Sequence, residues 1–183
     1  ALRAHTEEIL AANREDLENG RQSGLGEALL DRLALSEARI AGMADGMLEV
    51  AALPDPIGVI ESGSTRPNGM QVLKVRVPLG VIGIIFEARP NVTADAAALC
   101  LKSGNAVILR GGKEAIHSNR AIAAVMRRAV ESTGLPADCI QLVEDTSRAS
   151  ATALMRLNGY LDVLIPRGGA GLIKATVENA TVP

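Results

Sequence analysis

Residues 77–91 read VPLGVIGIIFEARPN, an unbroken apolar run that ends in a charged loop fixed by a proline. The stretch from Gly80 to Phe86 carries no charged or polar side chain. Such a run is typical of a parallel strand that is buried on both faces. Ligands of open α/β sheets bind outside the carboxyl ends of the strands, so Glu87, Arg89 and Asn91 form a candidate site. Arg-Pro-Asn could equally be only a turn before the next helix.

The order of strand, loop and helix repeats along the rest of the chain. Short apolar runs alternate with segments of helical periodicity, and glycine-containing turns separate them. The predicted strands are residues 80–86, 106–109, 140–143 and 161–165, and the predicted helices are residues 92–102, 114–132, 147–157 and 171–178. Four such units imply a parallel sheet, and right-handed crossovers place helices on both faces. The sequence therefore predicts an α/β fold with a Rossmann-like parallel sheet.

Two further parts precede this sheet. Residues 1–53 have helical spacing with a Ser36 cap, and we expect these helices to pack on the dinucleotide-binding α/β domain of residues 78–183. Residues 54–77 read as two short strands around the turn Arg66-Pro67-Asn68-Gly69, which predicts a β-hairpin. An isolated hairpin is marginally stable in water, so it needs something to lie against, either another part of the chain or a second subunit. We therefore expect it to act as an oligomerisation arm in a homo-oligomer.

The composition narrows the possible functions. The chain has 183 residues, of which 48% are hydrophobic and 22% charged, as in ordinary globular domains. A net charge of -2, with one Phe, one Tyr and no Trp, gives no basic surface and few stacking platforms for nucleic acid. No apolar stretch approaches the ~20 residues that span a bilayer, so we expect no membrane partner and a cytoplasmic location. The two cysteines and two histidines lack the spacing of a metal site.

Three loops follow predicted strands at their carboxyl ends, and each contains an arginine. The first is the loop of residues 87–91. The other two carry the candidate cofactor-binding residues, which are Arg110, Gly111, Gly112, Arg167, Gly168, Gly169 and Gly171. Glycines let the backbone approach a phosphate, a helix N-terminus offers unpaired N–H groups, and arginine adds charge-assisted hydrogen bonds. Taken together, the three loops are typical of a dinucleotide crevice.

The common nucleotide-binding fingerprints are absent. No G-x-G-x-x-G follows the first strand, and Gly111-Gly112-Lys113-Glu114 lacks both the upstream glycine and the Ser or Thr of a P-loop. Taken singly, the glycines of the third loop could form only a tight turn, and Arg110 could be a solvated strand end. The interpretation as a dinucleotide crevice therefore depends on the loops acting together.

Three stretches of the chain closely resemble one enzyme family. They are VPLGVIGIIFEARPNVT at residues 77–93, LCLKSGNAVILRGG at residues 99–112 and IPRGGAGLI at residues 165–173. They resemble the gamma-glutamyl phosphate reductases, or glutamate-5-semialdehyde dehydrogenases, of the aldehyde dehydrogenase superfamily, and the match covers nearly the whole chain. The resemblance implies NADPH-dependent reduction of L-glutamate 5-phosphate to L-glutamate 5-semialdehyde in proline synthesis. A cytoplasmic oligomer is implied as well.

The resemblance also implies roles for particular residues. Arg110 matches a strand-end lysine that contacts the adenosine ribose in the superfamily, and an arginine there could reach the 2′-phosphate of NADP. The loop from Arg167 to Gly171 stands where the superfamily has a Gly-Ser-Thr-like turn over the pyrophosphate. Asn91 lies near the superfamily's oxyanion asparagine, which makes it the one candidate catalytic residue.

The family's nucleophilic cysteine belongs to a glycine-rich segment beyond the position that matches Pro183. Neither Cys100 nor Cys139 matches that nucleophile. We therefore expect these residues to be the cofactor-binding part of the reductase, inactive alone. Two alternatives stay open: the chain could bind a nucleotide or a partner without catalysis, or it could be a structural fragment that binds no cofactor.

Overall fold

The computed structural model describes all 183 residues: three helices come first, a pair of strands follows, and strands and helices alternate thereafter. The helices are α1 Thr6–Gln22, α2 Glu27–Leu33, α3 Glu37–Ala52, α4 Asn91–Lys102, α5 Ile116–Glu131, α6 Arg148–Met155 and α7 Ala170–Asn179. The strands are β1 Ile60–Thr65, β2 Gln71–Val75, β3 Val81–Phe86, β4 Ala106–Arg110, β5 Ile140–Leu142 and β6 Val163–Arg167. None of the helices combines the length and the apolar character that crossing a bilayer requires.

Strands β3 to β6 form a parallel sheet in the order β5-β4-β3-β6. The inner strand β3 joins its two halves, because Ile84 stands opposite Leu109 of β4 on one side and Ile165 of β6 on the other. Its residues from Ile82 to Phe86 are all buried, as the apolar run predicted. The chain continues from β3 to β4 and β5 in one direction, whereas β6 lies on the other side of β3. Such a switch point opens a crevice outside the carboxyl ends of the two strands.

Helices cover both faces of the sheet. Successive strand residues point to opposite faces, and accordingly Ile84 and Ile85 belong to different apolar clusters. The larger cluster joins β3 and β4 to α1, α3, α4 and α5 around the buried Phe86. The smaller cluster joins the opposite face to α6 and to the end of the chain, through Leu154 and Val182. The predicted α/β fold class is therefore confirmed.

The last strand lies two residues later than predicted. We predict a strand at residues 161–165, whereas β6 spans Val163–Arg167. The predicted loop begins at Pro166, since proline cannot donate a hydrogen bond to a ladder. β6 is an edge strand, however, where a missing N–H is tolerated, and Pro166 stands opposite Ile85. Leu161 precedes the strand instead, with its buried side chain against Gly83.

Strands β1 and β2 form the predicted antiparallel hairpin around the turn at residues 66–69. Every residue of both strands is exposed. Leu73 and Val75 share one face of β2 and are 51% and 42% exposed. The hairpin therefore presents apolar side chains that no other part of this chain covers.

A buried carboxylate fastens the N-terminal helices to the sheet domain. Asp16 of α1 is 1% exposed and lies at the N-terminus of α5. Its Oδ2 accepts hydrogen bonds from Ser118 N at 2.7 Å and Ser118 Oγ at 2.6 Å, and its Oδ1 accepts one from His117 N at 3.1 Å. The first N–H groups of a helix lack partners within the helix, so Asp16 supplies a cap that Ala115 of α5 cannot provide.

Asn13, one turn earlier on α1, extends this network. It is 1% exposed, and its Nδ2 donates to Leu33 O at 2.9 Å and to Ser118 Oγ at 3.0 Å. Its Oδ1 accepts a hydrogen bond from Leu35 N at 2.8 Å. Because buried polar groups are costly when they lose their partners, α1 fixes both the end of α2 and the start of α5.

Asp16→Asn should destabilise the fold by about 1–3 kcal/mol. The amide keeps the shape of the carboxylate, but it offers one acceptor oxygen to three converging donors and removes a negative charge from the N-terminus of α5. Urea denaturation would measure the free energy of unfolding. Glu7→Gln, exposed on the same helix, is the matched control and should stay within about 0.5 kcal/mol of wild type. Equal stability of the two variants would contradict the capping role.

Candidate functional site

The loops after β3, β4 and β6 lie side by side at the carboxyl edge of the sheet. A Cβ built on Gly168 would lie 2.6 Å from Glu87 Cδ, and one built on Gly112 would lie 3.4 Å from the carbonyl carbon of Glu87. A side chain at residue 168 would therefore push the end of the Glu87 side chain aside, which shows how closely the two loops approach each other. The loops that the sequence singles out thus meet around Glu87.

Glu87 occupies the N-terminus of α7. Its Oε2 accepts a hydrogen bond from Gly169 N at 3.1 Å, which joins the loops that follow the paired strands β3 and β6. Gly169 precedes the first residue of α7 and has no side chain with which to cap that helix. A helix N-terminus attracts negative groups through its unpaired N–H groups and its partial positive charge, and here an internal carboxylate takes that place. The position therefore suits an anion.

Two neighbouring cavities open beside this contact. The first, which we call the crevice, has a volume of about 340 Å³ and is lined by Arg32, Glu87, Arg89, Arg167 and the Gly168-Gly169 turn. The second, which we call the adjoining cavity, has a volume of about 420 Å³ and shares Arg32 and Arg89 with the crevice. Within the crevice, the three arginines face a single carboxylate. Its lining therefore favours anionic ligands.

Arg110 lies at the end of β4, outside both cavities. Its Nη2 donates to Thr146 O at 2.6 Å and to Ser147 O at 2.8 Å, which ties the loop after β5 to the end of β4. Its Nε is buried without a hydrogen-bond partner. Burial lowers the pKa of the Arg110 guanidinium, while the nearby carboxylates of Asp145 and Glu114 act against this. The group thus serves partly as a brace between two loops at the sheet edge.

Asn91 is the first residue of α4 and lines the adjoining cavity. Its Nδ2 donates to Asp95 Oδ2 at 2.9 Å, so the amide is engaged by a side chain one turn further along the helix. Arg89, two residues earlier in the loop before α4, lines the same cavity. The candidate oxyanion residue and a guanidinium therefore share one space.

The remaining predicted glycines differ in their surroundings. Gly111 faces the interior, where a Cβ would lie 2.1 Å from Asn119 Nδ2 and 3.1 Å from the ring of Phe86. Gly171 lies in the first turn of α7 with open space beside it. Gly111 is thus a packing requirement of the sheet edge, whereas Gly171 leaves room for a ligand beside α7.

The two thiols lie away from the crevice. Cys100 is a buried residue of α4, and burial raises the pKa of its thiol to about 11. Cys139 precedes β5, at the opposite end of that strand from the loops, and burial raises the pKa of its thiol too. Neither thiol is activated as a nucleophile, since nucleophilic cysteines require a lowered pKa. No group of three or more His, Cys, Asp or Glu side chains is arranged to hold a metal ion.

The sequence patterns missed two residues that line the cavities. Arg32 comes from α2, a short helix with no motif, which the buried Leu30 and Leu33 and the network around Asn13 hold beside the loops. Asp95 follows Asn91 by four residues, a spacing that places two side chains on one helix face and could have indicated their contact. The sequence around Arg32 therefore gives no sign of its place in the site, and the spacing of Asp95 gives a weak one.

Comparison with known proteins places these features in a family. The model of the aldehyde dehydrogenase family matches residues 2–163. The gamma-glutamyl phosphate reductase of Moorella thermoacetica is 62% identical over 183 residues, which are 100% of this chain and 44% of the relative. The chain thus spans less than half the length of this relative.

Solved structures show the same fold. The crystal structure of the gamma-glutamyl phosphate reductase from Thermotoga maritima matches with a TM-score of 0.97 at 45% identity, covering 100% of this chain and 44% of that one. The corresponding protein from Saccharomyces cerevisiae matches with a TM-score of 0.89 at 33% identity, covering 100% of this chain and 46% of that one. Since the family model covers most of its residues, the chain belongs to the aldehyde dehydrogenase family.

Proposed function

We propose that this chain is the cofactor-binding part of a cytoplasmic, NADPH-dependent reductase that converts L-glutamate 5-phosphate into L-glutamate 5-semialdehyde in proline synthesis. The 62% identity to the Moorella reductase over the whole chain supports this proposal. The observation that carries it is the crevice outside the carboxyl ends of β3 and β6, which is lined mainly by the stretches where the family resemblance lies. An arginine-lined space at a helix N-terminus suits a phosphate-bearing cofactor.

The residues at the crevice fit a dinucleotide. The absence of side chains at the Gly168-Gly169 turn leaves the N–H groups at the start of α7 accessible, and Glu87 already places a carboxylate oxygen where a phosphate oxygen would bind. Membership of the aldehyde dehydrogenase family implies a nicotinamide cofactor, which supplies the hydride when bound. In our proposal, Arg167 and the backbone from Gly168 to Gly171 hold its pyrophosphate.

Arg110 is the proposed contact for the 2′-phosphate that distinguishes NADPH from NADH. Its guanidinium is held at the sheet edge by the carbonyls of Thr146 and Ser147, next to the Gly111-Gly112 turn. An arginine keeps its charge even when partly buried, so it can still attract a phosphate. Gly112, the second glycine of this turn, would let the adenosine ribose approach the backbone, whereas Gly111 is needed for packing against Asn119.

The acyl chemistry needs groups that this chain does not supply. Asn91 is the proposed oxyanion residue, and its amide would have to exchange Asp95 for the reacting oxygen. Neither Cys100 nor Cys139 opens into the crevice, and both thiols have raised pKa values. In our proposal the nucleophilic cysteine lies outside these residues, and the chain alone binds cofactor without turnover.

We also propose the domain roles. Residues 1–53 brace the dinucleotide-binding domain of residues 78–183 through Asn13 and Asp16, and residues 54–77 form an arm for homo-oligomer assembly. The exposed apolar side chains of the hairpin support the second role, because a solvated two-stranded ribbon is only marginally stable.

Calorimetric titration of this chain should show NADPH binding that is tighter than NADH binding. Arg110→Ala should weaken NADPH binding by about tenfold or more and leave NADH binding nearly unchanged, since a charge-assisted contact to phosphate contributes roughly 1.5–3 kcal/mol. Arg120→Ala, which removes an exposed ion pair with Glu144, is the matched control. Equal weakening of both cofactors by Arg110→Ala would mean that the residue acts only as a brace. The absence of any binding would favour the structural alternative.

Glu87→Gln should tighten the binding of either dinucleotide by about two- to fivefold. The neutral amide ends the competition between a carboxylate and the cofactor pyrophosphate for the N-terminus of α7, and an anion at such a terminus is stabilised by roughly 0.3–1 kcal/mol. The same titration measures the effect, with Glu131→Gln at the far end of α5 as the control. Weaker binding in the Gln variant would show that the carboxylate assists the cofactor.

Leu73→Asp should shift the assembly toward smaller species, because it places a charge on the apolar face of the hairpin. Lys74→Gln, on the opposite face of β2, is the matched control and loses only an exposed ion pair with Glu61. Sedimentation velocity at several concentrations would measure the change. An unaltered size distribution for Leu73→Asp would contradict the role of the arm.

A further inference from the structure

Three arginines of the crevice have no partner within the protein, and two of them also line the adjoining cavity. Arg32 of α2 and Arg89 of the β3 loop both line the crevice and the adjoining cavity. The arginines that form salt bridges are Arg3, Arg39, Arg76, Arg120, Arg127 and Arg128. Arg32 and Arg89 also donate no side-chain hydrogen bond, although each guanidinium carries five donors. Their charge is available to a ligand.

The other polar groups of the adjoining cavity satisfy one another. Arg39 Nη2 donates to Asp31 Oδ1 at 2.9 Å, and its Nη1 donates to Ala34 O at 2.7 Å. Asn91 donates to Asp95 at 2.9 Å. Both carboxylates of this cavity are thereby engaged. The two unpaired guanidiniums leave it with an excess of positive charge and with planar donors that match phosphate or carboxylate oxygens.

Arg32 and Arg89 stand between the two cavities, and the adjoining cavity lies on their side away from the cofactor's proposed pyrophosphate site. The N-terminus of α7 and Arg167 line the crevice but not the adjoining cavity. Asn91, the proposed oxyanion residue, lines only the adjoining cavity. A second anionic group can therefore bind next to the cofactor, beside the amide assigned to the reacting carbonyl.

We propose that Arg32 and Arg89 bind the phosphate group of an acyl phosphate substrate, and that they select such a substrate over an uncharged acyl compound. This inference rests on the proposed function, in which the substrate carries a phosphate on the carbonyl carbon that is reduced. Arg89 comes from the loop that leads to Asn91, so phosphate and carbonyl are bound by neighbouring residues. Arg32 brings the N-terminal helices into substrate recognition.

The test uses the full-length enzyme in the oxidative direction, where semialdehyde, NADP⁺ and inorganic phosphate give acyl phosphate, NADPH and a proton. Arg32→Gln and Arg89→Gln should each raise the KM for inorganic phosphate about 10- to 100-fold and leave the KM for NADP⁺ within about threefold. Arg89→Lys should fall between wild type and Arg89→Gln, since lysine keeps the charge but not the planar fork. Arg120→Gln, in an exposed ion pair with Glu144, should match wild type.

An unchanged KM for phosphate in both Gln variants, or an equal rise in the KM for NADP⁺, would overturn this role while the wild-type activity still supports the proposed function. A wild-type enzyme without phosphate-dependent turnover would overturn the proposed function itself.

A second measurement uses no variant, so it tests the proposal even where the arginine variants fail to fold. In the wild-type enzyme, inorganic phosphate should protect Arg32 and Arg89, but not Arg120, from modification by phenylglyoxal, as read by peptide mass spectrometry. Protection of the two arginines would support the anion site even in an enzyme without turnover. Modification at the same rate with and without phosphate would overturn it.

Discussion

A strand that is buried on both faces can meet solvent only at its ends, and this constraint on β3 organises the rest of the molecule. The residues of β3 are all uncharged, and the first charged side chain after the strand is that of Glu87. Because β4 and β6 flank it in parallel, their own loops emerge at the same edge. Charged and glycine-rich segments that are far apart in the chain are thereby collected around one carboxylate.

Much of this arrangement could be predicted from the sequence because it depends on local patterns. Apolar runs and glycine turns marked the strands of the parallel sheet, and Ser36 marked the start of α3, where its side chain accepts from Arg39 N. The predicted end of β6 was wrong because β6 lies at the edge of the sheet, where a strand tolerates Pro166. The sequence of one strand does not tell whether that strand lies at the edge or inside the sheet. The contact of Glu87 with Gly169 joins residues that no periodicity relates.

The N-terminal helices show the limit of pattern reading most clearly. Their apolar spacing predicted a cover for the sheet, but Asn13 and Asp16 gave no sign that they would be buried. Burying an amide and a carboxylate is tolerable only because five donors or acceptors on α2, on the segment after it and on α5 meet them with good geometry. That geometry is a property of the assembled fold. It also fixes the helix that carries Arg32 beside the crevice.

The tight fit between Glu87 and Gly168 has a consequence for sequence divergence. Any side chain at residue 168 would push the Glu87 carboxylate away from its hydrogen bond with Gly169 N, even before any ligand binds. Replacement of Glu87 by a smaller residue would remove that conflict, and a side chain at 168 would then disturb no such contact. The two positions, 81 residues apart in the chain, are therefore expected to change together rather than one at a time.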